Sequence, residues 1–211
     1  PKFSDEDIWT ILFTSGTTGS PKGVILTYGN MRHVIKVETT KHVIGLKDIL
    51  GNAHFISVLP LNHIGERMAV EMACLITGGT ISFVESINSF VQNIQDTQPT
   101  LMFTVPHLWS KFQLGVLEKM PQKRLNILFK IPIISGIVKK KIKEKLGLSR
   151  MIHPITAAAP IPPELKKWYA DLGLNLREVY GMTETTGLTI LTPPGNQKPG
   201  TVGLPIDGLE L

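Results

Sequence analysis

The sequence predicts an α/β fold, a largely parallel sheet with flanking helices, on three observations. Short β-prone runs alternate with helical patterns of about 10–15 residues, the rhythm of strand–helix–strand units. Strand-like runs end on Pro60 and Pro106, and a helical pattern ends on Gly78-Gly79, so the breaks fall where elements must stop. The 211 residues are 42% hydrophobic and 18% charged, which supplies a sizeable core and excludes a disordered chain. The lone Cys74 excludes a disulfide scaffold and makes a reducing, cytoplasmic setting the natural expectation. No apolar run reaches the ~20 residues of a spanning helix. A net charge of +5, dispersed along the chain, gives no case for nucleic acid.

Ile8–Thr14 is β-prone and runs into a loop-forming stretch, Ser15–Gly23. Thr27 is a suitable N-cap for a helix from about Tyr28 to Thr40, with Met31, Val34, Ile35 and His42 drifting around one face. Phe55–Leu59 reads as a short strand. Ile64–Thr77 carries Ile64, Met68, Met72 and Leu75 at helical spacing. Thr80–Val84 reads as strand, Phe90–Gln95 as helix, Leu101–Val105 as strand and His107 to Met120 as helix. Pro121–Ser149 is the least regular segment and holds a basic helical stretch, Lys139–Leu146. Met151–Ile155 is expected as strand, Pro163–Leu172 as helix and Leu176–Tyr180 as strand. The chain opens at Pro1 without an initiator Met or signal pattern and stops inside a strand-like run, Ile206 to Leu211. Both ends fit a piece of a longer protein.

The decapeptide Thr14-Ser15-Gly16-Thr17-Thr18-Gly19-Ser20-Pro21-Lys22-Gly23 is the most informative segment. Its glycines let backbone N–H groups turn toward a ligand, its hydroxyls donate to anionic oxygens, and Lys22 adds a point charge. Directly after a strand, that is the make-up of a polyphosphate cradle. It is not a Walker A loop, because Pro21 stands where the second glycine is required. By composition alone it serves equally as a Ser/Thr/Gly-rich hairpin. Its order, however, resembles the phosphate-loop signature of the adenylate-forming superfamily, Ser/Thr-Ser-Gly-Ser/Thr-Thr-Gly-x-Pro-Lys-Gly, at every position. That superfamily contains acyl-CoA synthetases, luciferases and the adenylation domains of peptide synthetases.

Two more motifs follow in the family's order. Pro60-Leu61-Asn62-His63-Ile64-Gly65-Glu66-Arg67 resembles the Leu-Pro-Leu-x-His-x-x-Glu-Arg form of its long-chain acyl-CoA synthetase branch. Taken alone, His63 reads more readily as a satisfied loop histidine, and Glu66-Arg67 equally as a helix-surface pair or as a pair with a structural role. Val105-Pro106-His107-Leu108-Trp109-Ser110-Lys111 is similar to the same branch's Val-Pro-Arg-x-Trp-Glu-Lys, with His107 and Ser110 replacing the family's Arg and Glu. Tyr180-Gly181-Met182-Thr183-Glu184 matches Tyr-Gly-x-Thr-Glu. Thr156-Ala157-Ala158-Ala159-Pro160 is similar to Ser-Gly-Ala/Gly-Ala-Pro, with Ala157 where glycine is usual. Outside that resemblance, Tyr180 suits the core, Thr183–Thr186 a capping turn, and 156–160 a plain strand-to-helix turn.

The resemblance implies a partial AMP-binding (adenylation) domain over residues 1–211, without the C-terminal lid domain that carries an adenylation lysine. It implies that Thr14, Ser15, Gly16, Thr17, Thr18, Gly19 and Lys22 hold the ATP phosphates. Ala158, Ala159, Pro160, Tyr180, Gly181 and Met182 would border adenine, and Thr183 would bind the α-phosphate. Glu184 would carry Mg²⁺, and His63 would border the acyl carboxylate. The implied activity is that of an AMP-forming long-chain fatty acid–CoA ligase, with ATP, Mg²⁺ and CoA as cofactor and co-substrates. Two alternatives stay open: acyl transfer to a carrier protein, and a non-catalytic nucleotide-binding or scaffold piece. The isolated 211 residues are expected not to complete adenylation alone.

The six histidines and Cys74 share no zinc-ligand spacing, and Cys74 lies in an apolar helical pattern suited to the core. Lys139–Lys145 is either a solvated helix face or a contact for an anionic membrane surface, which would make the protein cytoplasmic and peripheral to the membrane. An acyl tunnel between the Ile64–Thr77 helix and the sheet, lined by Met68, Met72 and Met182, competes with a plain core role for these residues. Oligomeric state is not encoded in any readable pattern.

Overall fold

The computed structural model describes residues 2–14, 19–86, 88–193, 195, 198 and 200–210. Strands β1 (Ile8–Thr14) and β2 (Lys22–Thr27) pair antiparallel, with Thr14 opposite Lys22, so the Ser/Thr/Gly loop joins the two strands of a hairpin. Helix α1 (Tyr28–Lys41) starts at Thr27, whose hydroxyl accepts from Asn30 N–H while Asn30 Oδ1 accepts from Thr27 N–H. This reciprocal cap satisfies two amides that the first turn leaves unpaired. Its inward residues are Val34, Val37 and Glu38.

The main sheet has the order β4-β3-β5-β6-β7-β8-β9. It contains β3 (His54–Ser57), β4 (Thr80–Phe83), β5 (Leu101–Thr104), β6 (His153–Thr156) and β7 (Arg177–Tyr180), all parallel. The two-residue strands β8 (Ile190–Leu191) and β9 (Leu204–Pro205) add antiparallel at one edge. The expected terminal strand at Ile206–Leu211 is not formed: Ile206 N–H still donates to Thr189 C=O at 3.0 Å, residues 207–210 then leave the sheet, and Leu211 lies outside the described residues. Tandem turns at 207–208 follow Gly203, and these set the chain's direction instead of the apolar run.

Alternation along the strands divides the core in two. Phe55, Leu101, Phe103, Ile155 and Val179 pack on one face with α1 and with α2 (residues 64–77). Ile56 and Met102 point the other way, into α3 (Phe90–Thr97), α4 (Pro106–Lys119), α5 (Gln122–Leu128), α6 (Ile134–Leu146) and α7 (Pro163–Asp171). Helices on both faces explain why β5 is buried at all four positions. The irregular segment 121–149 therefore contains two helices. The sequence hid α5 and the start of α6 because, among 126–134, most side chains face solvent and show no inward stripe. A third cluster, Leu12 and Leu26 of the hairpin with Ile64, fastens the hairpin to the start of α2.

One polar network ties the sheet to its connections. The buried Arg177 guanidinium donates to Thr192 C=O at 2.8 Å, to Ile44 C=O at 2.7 Å and to Val43 C=O. Burial lowers its pKa to about 10, with the Glu38 carboxylate opposing the shift. Glu38 in turn accepts from the amides of Ile44, Gly45 and Leu46 at 2.6, 3.0 and 2.8 Å.

Candidate active site

Parallel strands place their carboxyl ends along one edge of a sheet, and ligands of open α/β sheets bind at that edge. The downstream motifs all emerge there. The loop 58–63 follows β3, Val105-Pro106 follows β5, Ala157–Pro160 follows β6, and Gly181–Glu184 follows β7. Since β6 and β7 are paired neighbours, with Ile155 opposite Arg177 and Thr156 opposite Glu178, their two loops leave the sheet side by side.

The loop after β3 is held at both ends. His63 is the N-cap of α2, and its Nδ1 accepts from Gly65 N–H at 3.1 Å. That bond puts the ring proton on Nε2, so the exposed imidazole can present an N–H donor to an anion. Gly65 leaves no room for a side chain: a Cβ would lie 2.6 and 2.8 Å from two ring carbons of Phe103 and 3.1 Å from His63 Nδ1. Glu66 is fully buried, and its Oε1 accepts from Val58 N–H at 3.0 Å while Oε2 has no partner. Burial raises its pKa, against the Val58 N–H donor. Of the two readings open for Glu66, surface pair and structural role, the structural one holds: it is a core residue that ties β3 to α2. Arg67 remains at the surface, donating to Leu61 C=O at 3.2 Å. Between Ile64–Glu66 and Ala73–Thr77 the helix widens into a π-helical stretch, Arg67–Met72, a departure frequent at functional sites.

The loop after β7 is closed on itself. Gly187 N–H donates to Met182 C=O at 2.9 Å, Thr189 N–H to Tyr180 C=O at 3.0 Å, and Thr186 N–H to Thr183 C=O at 3.1 Å. Thr185 Oγ1 accepts from Met182 N–H and pairs with Thr189 Oγ1 at 2.7 Å. Gly181 is obligatory, since a Cβ there would sit 2.2 Å from Gly187 O. The interior hydrogen bonds turn the Tyr180, Met182 and Glu184 side chains outward, all exposed, with Thr183 half-buried. A capping turn was one reading of this segment; Thr183–Thr185 is indeed a single 3₁₀ turn.

The hairpin and this loop are neighbours: β2, which begins at the exposed Lys22, lies against the Thr183–Thr185 turn. Ile64 bridges them, packing on Leu12 and Leu26 and lying 3.2–3.6 Å from where a Gly187 Cβ would stand. Thr14 ends β1 opposite Lys22, and Gly19 adopts φ 87°. Ser15, Gly16, Thr17 and Thr18 lie outside the described residues. Ala158, Ala159 and Pro160 are exposed, and Ala158 takes φ 70°, the left-handed region that disfavours a Cβ. The motif matches mark Ala158 and Glu66, but no sequence signal marks the need for glycine at 65, which depends on its contact with Phe103.

Between α1, α2 and the sheet lies an apolar cavity of about 40 Å³, lined by Val34, Ile35, Gly65, Met68, Phe103, Ile155 and Gly187 among others. Met68 lines it as expected, but Met72 does not, and Met182 lies exposed on the loop after β7. Such a space holds a few waters' volume, far less than a long acyl chain. Cys74 is partly exposed and packs against the core, with its thiol pKa raised by burial. Among the described residues, no three His, Cys, Asp or Glu side chains cluster as metal ligands, and no helix is long and apolar enough to cross a membrane.

The comparisons with known proteins agree with this arrangement. Long chain acyl-CoA synthetase 3 of Arabidopsis thaliana is 29% identical over 241 residues, covering 100% of this chain and 35% of the relative. Long chain acyl-CoA synthetase 7, peroxisomal, of the same plant is 32% identical, covering 98% and 31%. The chain thus spans about a third of the length of these relatives. Among solved structures, apo MatB from Rhodopseudomonas palustris superposes with TM-score 0.69 at 21% identity, over 97% of this chain and 35% of that one, which shows a shared fold. The family model described as AMP-binding enzyme matches residues 1–211, and with its motif loops gathered on one sheet edge the chain belongs to the AMP-binding enzyme family.

Proposed function

We propose that this chain is the ATP-handling part of an AMP-forming acid–thiol ligase that activates a long-chain fatty acid and passes it to CoA. The observation that carries the reading is the meeting of β2, with Lys22 at its start, and the Thr183–Thr185 turn at the carboxyl edge of the parallel sheet. Relatives named long chain acyl-CoA synthetases support the substrate class.

A carboxylate is a poor acyl donor because oxide would have to leave. In the first step a carboxylate oxygen forms a bond to the α-phosphorus of ATP, the bond to the bridging oxygen breaks, and pyrophosphate departs. In the second the CoA thiolate attacks the acyl carbon and AMP leaves. The protein's share is positioning and charge stabilisation. Lys22, Thr14, Gly19 and the hydroxyls of Ser15, Thr17 and Thr18, with the backbone at Gly16, hold the departing pyrophosphate. Thr183 donates to the α-phosphate. The Tyr180 ring, with Gly181, Met182 and the Ala158–Pro160 loop, seats the adenine. His63, its proton on Nε2, donates to the carboxylate that attacks. The exposed Glu184 carboxylate suits Mg²⁺, which takes one or two carboxylates beside phosphate oxygens and needs no larger acidic cluster. When bound, Mg²⁺ neutralises charge on the phosphates.

In the complete protein, Thr183→Ala and Glu184→Ala each lower fatty-acid-dependent ATP–pyrophosphate exchange by about 10²-fold or more, the usual cost of one well-placed group. Near-normal exchange in either variant overturns these assignments.

A further inference from the structure

Helices α5 and α6, with the turn between them, carry a surface that adenylation leaves unused. Residues 121–150 contain nine of the chain's 22 basic residues but only one of its 17 acidic ones, Glu144, so the rest of the chain is left with 13 basic against 16 acidic groups. Among these charges stand exposed isoleucines: Ile133 at 83%, Ile127 at 62% and Ile137 at 52% relative exposure, with Ile131 and Ile134 beside them. The helix is not loose. Ile142 and Leu146 anchor α6 in the core, and Lys139 Nζ sits 5.0 Å from the Phe129 ring, drawing α6 back to the end of α5. The opposite stripe, Ile134, Ile137 and Lys141 at i, i+3 and i+7, faces outward. At its start Ile134 N–H donates to Pro132 C=O at 2.8 Å, and Ile133 takes φ 68° and ψ −55°, a tight γ-turn that thrusts Ile133 outward.

We propose that this face docks the protein on an anionic lipid surface, the isoleucines entering the boundary between headgroups and acyl chains and the lysines meeting lipid phosphates. Exposed aliphatic side chains interleaved with lysines are the composition that such a boundary selects. Two copies of this face would repel each other through their like charge. A nucleic acid would leave the isoleucines in water and find no exposed aromatic ring on this face to stack against. The inference stands on charge and exposure and is independent of the adenylation reading.

The test is co-sedimentation of the complete protein with phosphatidylcholine vesicles and with vesicles containing about one-third phosphatidylglycerol. Binding is expected only to the anionic vesicles and falls with added salt. Neutralising Lys130, Lys140 and Lys141 together (each →Ala) weakens it by about 100-fold, at roughly fivefold per lysine. Ile133→Gly weakens it by about tenfold while easing the positive φ. Both variants keep ATP–pyrophosphate exchange and neither lowers the urea midpoint below that of the parent, which separates lost docking from lost folding. The proposal is overturned by equal binding to neutral vesicles, by unchanged binding in the variants, or by tighter binding to duplex DNA than to anionic vesicles. A structure of the lipid-free complete protein in which another part of the chain or a second copy covers Ile133 and Ile137 also overturns it.

Discussion

Adding one methyl group at Gly65 tests whether the packing beneath His63 governs its position. The new Cβ would lie 2.6 and 2.8 Å from Phe103 ring carbons and 3.1 Å from His63 Nδ1. Ordinary carbon contacts begin near 3.5 Å, so the parts must separate by about 1 Å. Phe103 cannot swing away, being 6% exposed and packed among the residues that link β5 to α1 and α2. The first turn of α2 therefore gives way, and His63, whose Nδ1 bond to Gly65 sets its ring, moves with it. Overpacking of this kind costs about 1–3 kcal/mol, set against at most about 1 kcal/mol gained by replacing a helical glycine with alanine. Gly65→Ala in the complete protein is expected to lose about 1–2 kcal/mol in urea unfolding. A 1 Å misplacement of a positioning group costs roughly 10²-fold in rate, so pyrophosphate exchange falls by that order. Phe103→Leu, which removes the clashing ring atoms, restores part of both losses in the double variant. Wild-type exchange in Gly65→Ala, or a loss that Phe103→Leu leaves untouched, refutes the reasoning.

Two further expectations concern stability. The Glu66 carboxyl titrates higher in the folded protein than in the unfolded chain, because burial disfavours its charge. The folded state therefore holds the proton longer, and this stabilising contribution, complete below the unfolded value of 4.5, is lost as pH rises through the folded one. Glu66→Gln keeps an acceptor for Val58 N–H and removes the charge, so the variant gains on the parent in urea unfolding as pH rises. The gain is about 1.4 kcal/mol for each pH unit that separates the folded and unfolded titrations; a constant difference across pH contradicts this. Ala158→Gly relieves φ 70° and raises stability by about 1 kcal/mol, and a lower melting midpoint would show that the Ala158 methyl makes contacts outweighing the strain.

The sequence exposed the fold's rhythm because most strands and helices bury a regular stripe, as β5 and α4 do. Boundaries moved where a polar group completes an element: β3 begins at His54, whose N–H donates to the Thr100 hydroxyl, before the apolar run itself starts at Phe55. Within 121–149 the helical stretch Lys139–Leu146 was readable, but residues 121–138 were not, because they hold few buried side chains and meet water with isoleucine, which breaks the inside–outside pattern. The site was legible as motifs, since loop chemistry at 14–23 and 180–187 is local. Its framework was not. The need for glycine at 65 comes from Phe103, at 181 from Gly187 and at 187 from a φ of 83° set by the loop's closure, with Ile64 close by. The burial of Glu66 likewise follows from β3 lying beside the first turn of α2.

The central claim is that the hairpin loop and the loop after β7 serve one nucleotide. Its most direct test is a crystal structure of the complete protein soaked with α,β-methylene-ATP, which keeps all three phosphates and cannot release pyrophosphate. The adenine is expected against Tyr180, the α-phosphate within hydrogen-bond reach of Thr183, and the terminal phosphates beside Lys22. An analogue bound away from the carboxyl edge of the parallel strands, with Tyr180 and Thr183 untouched, contradicts it.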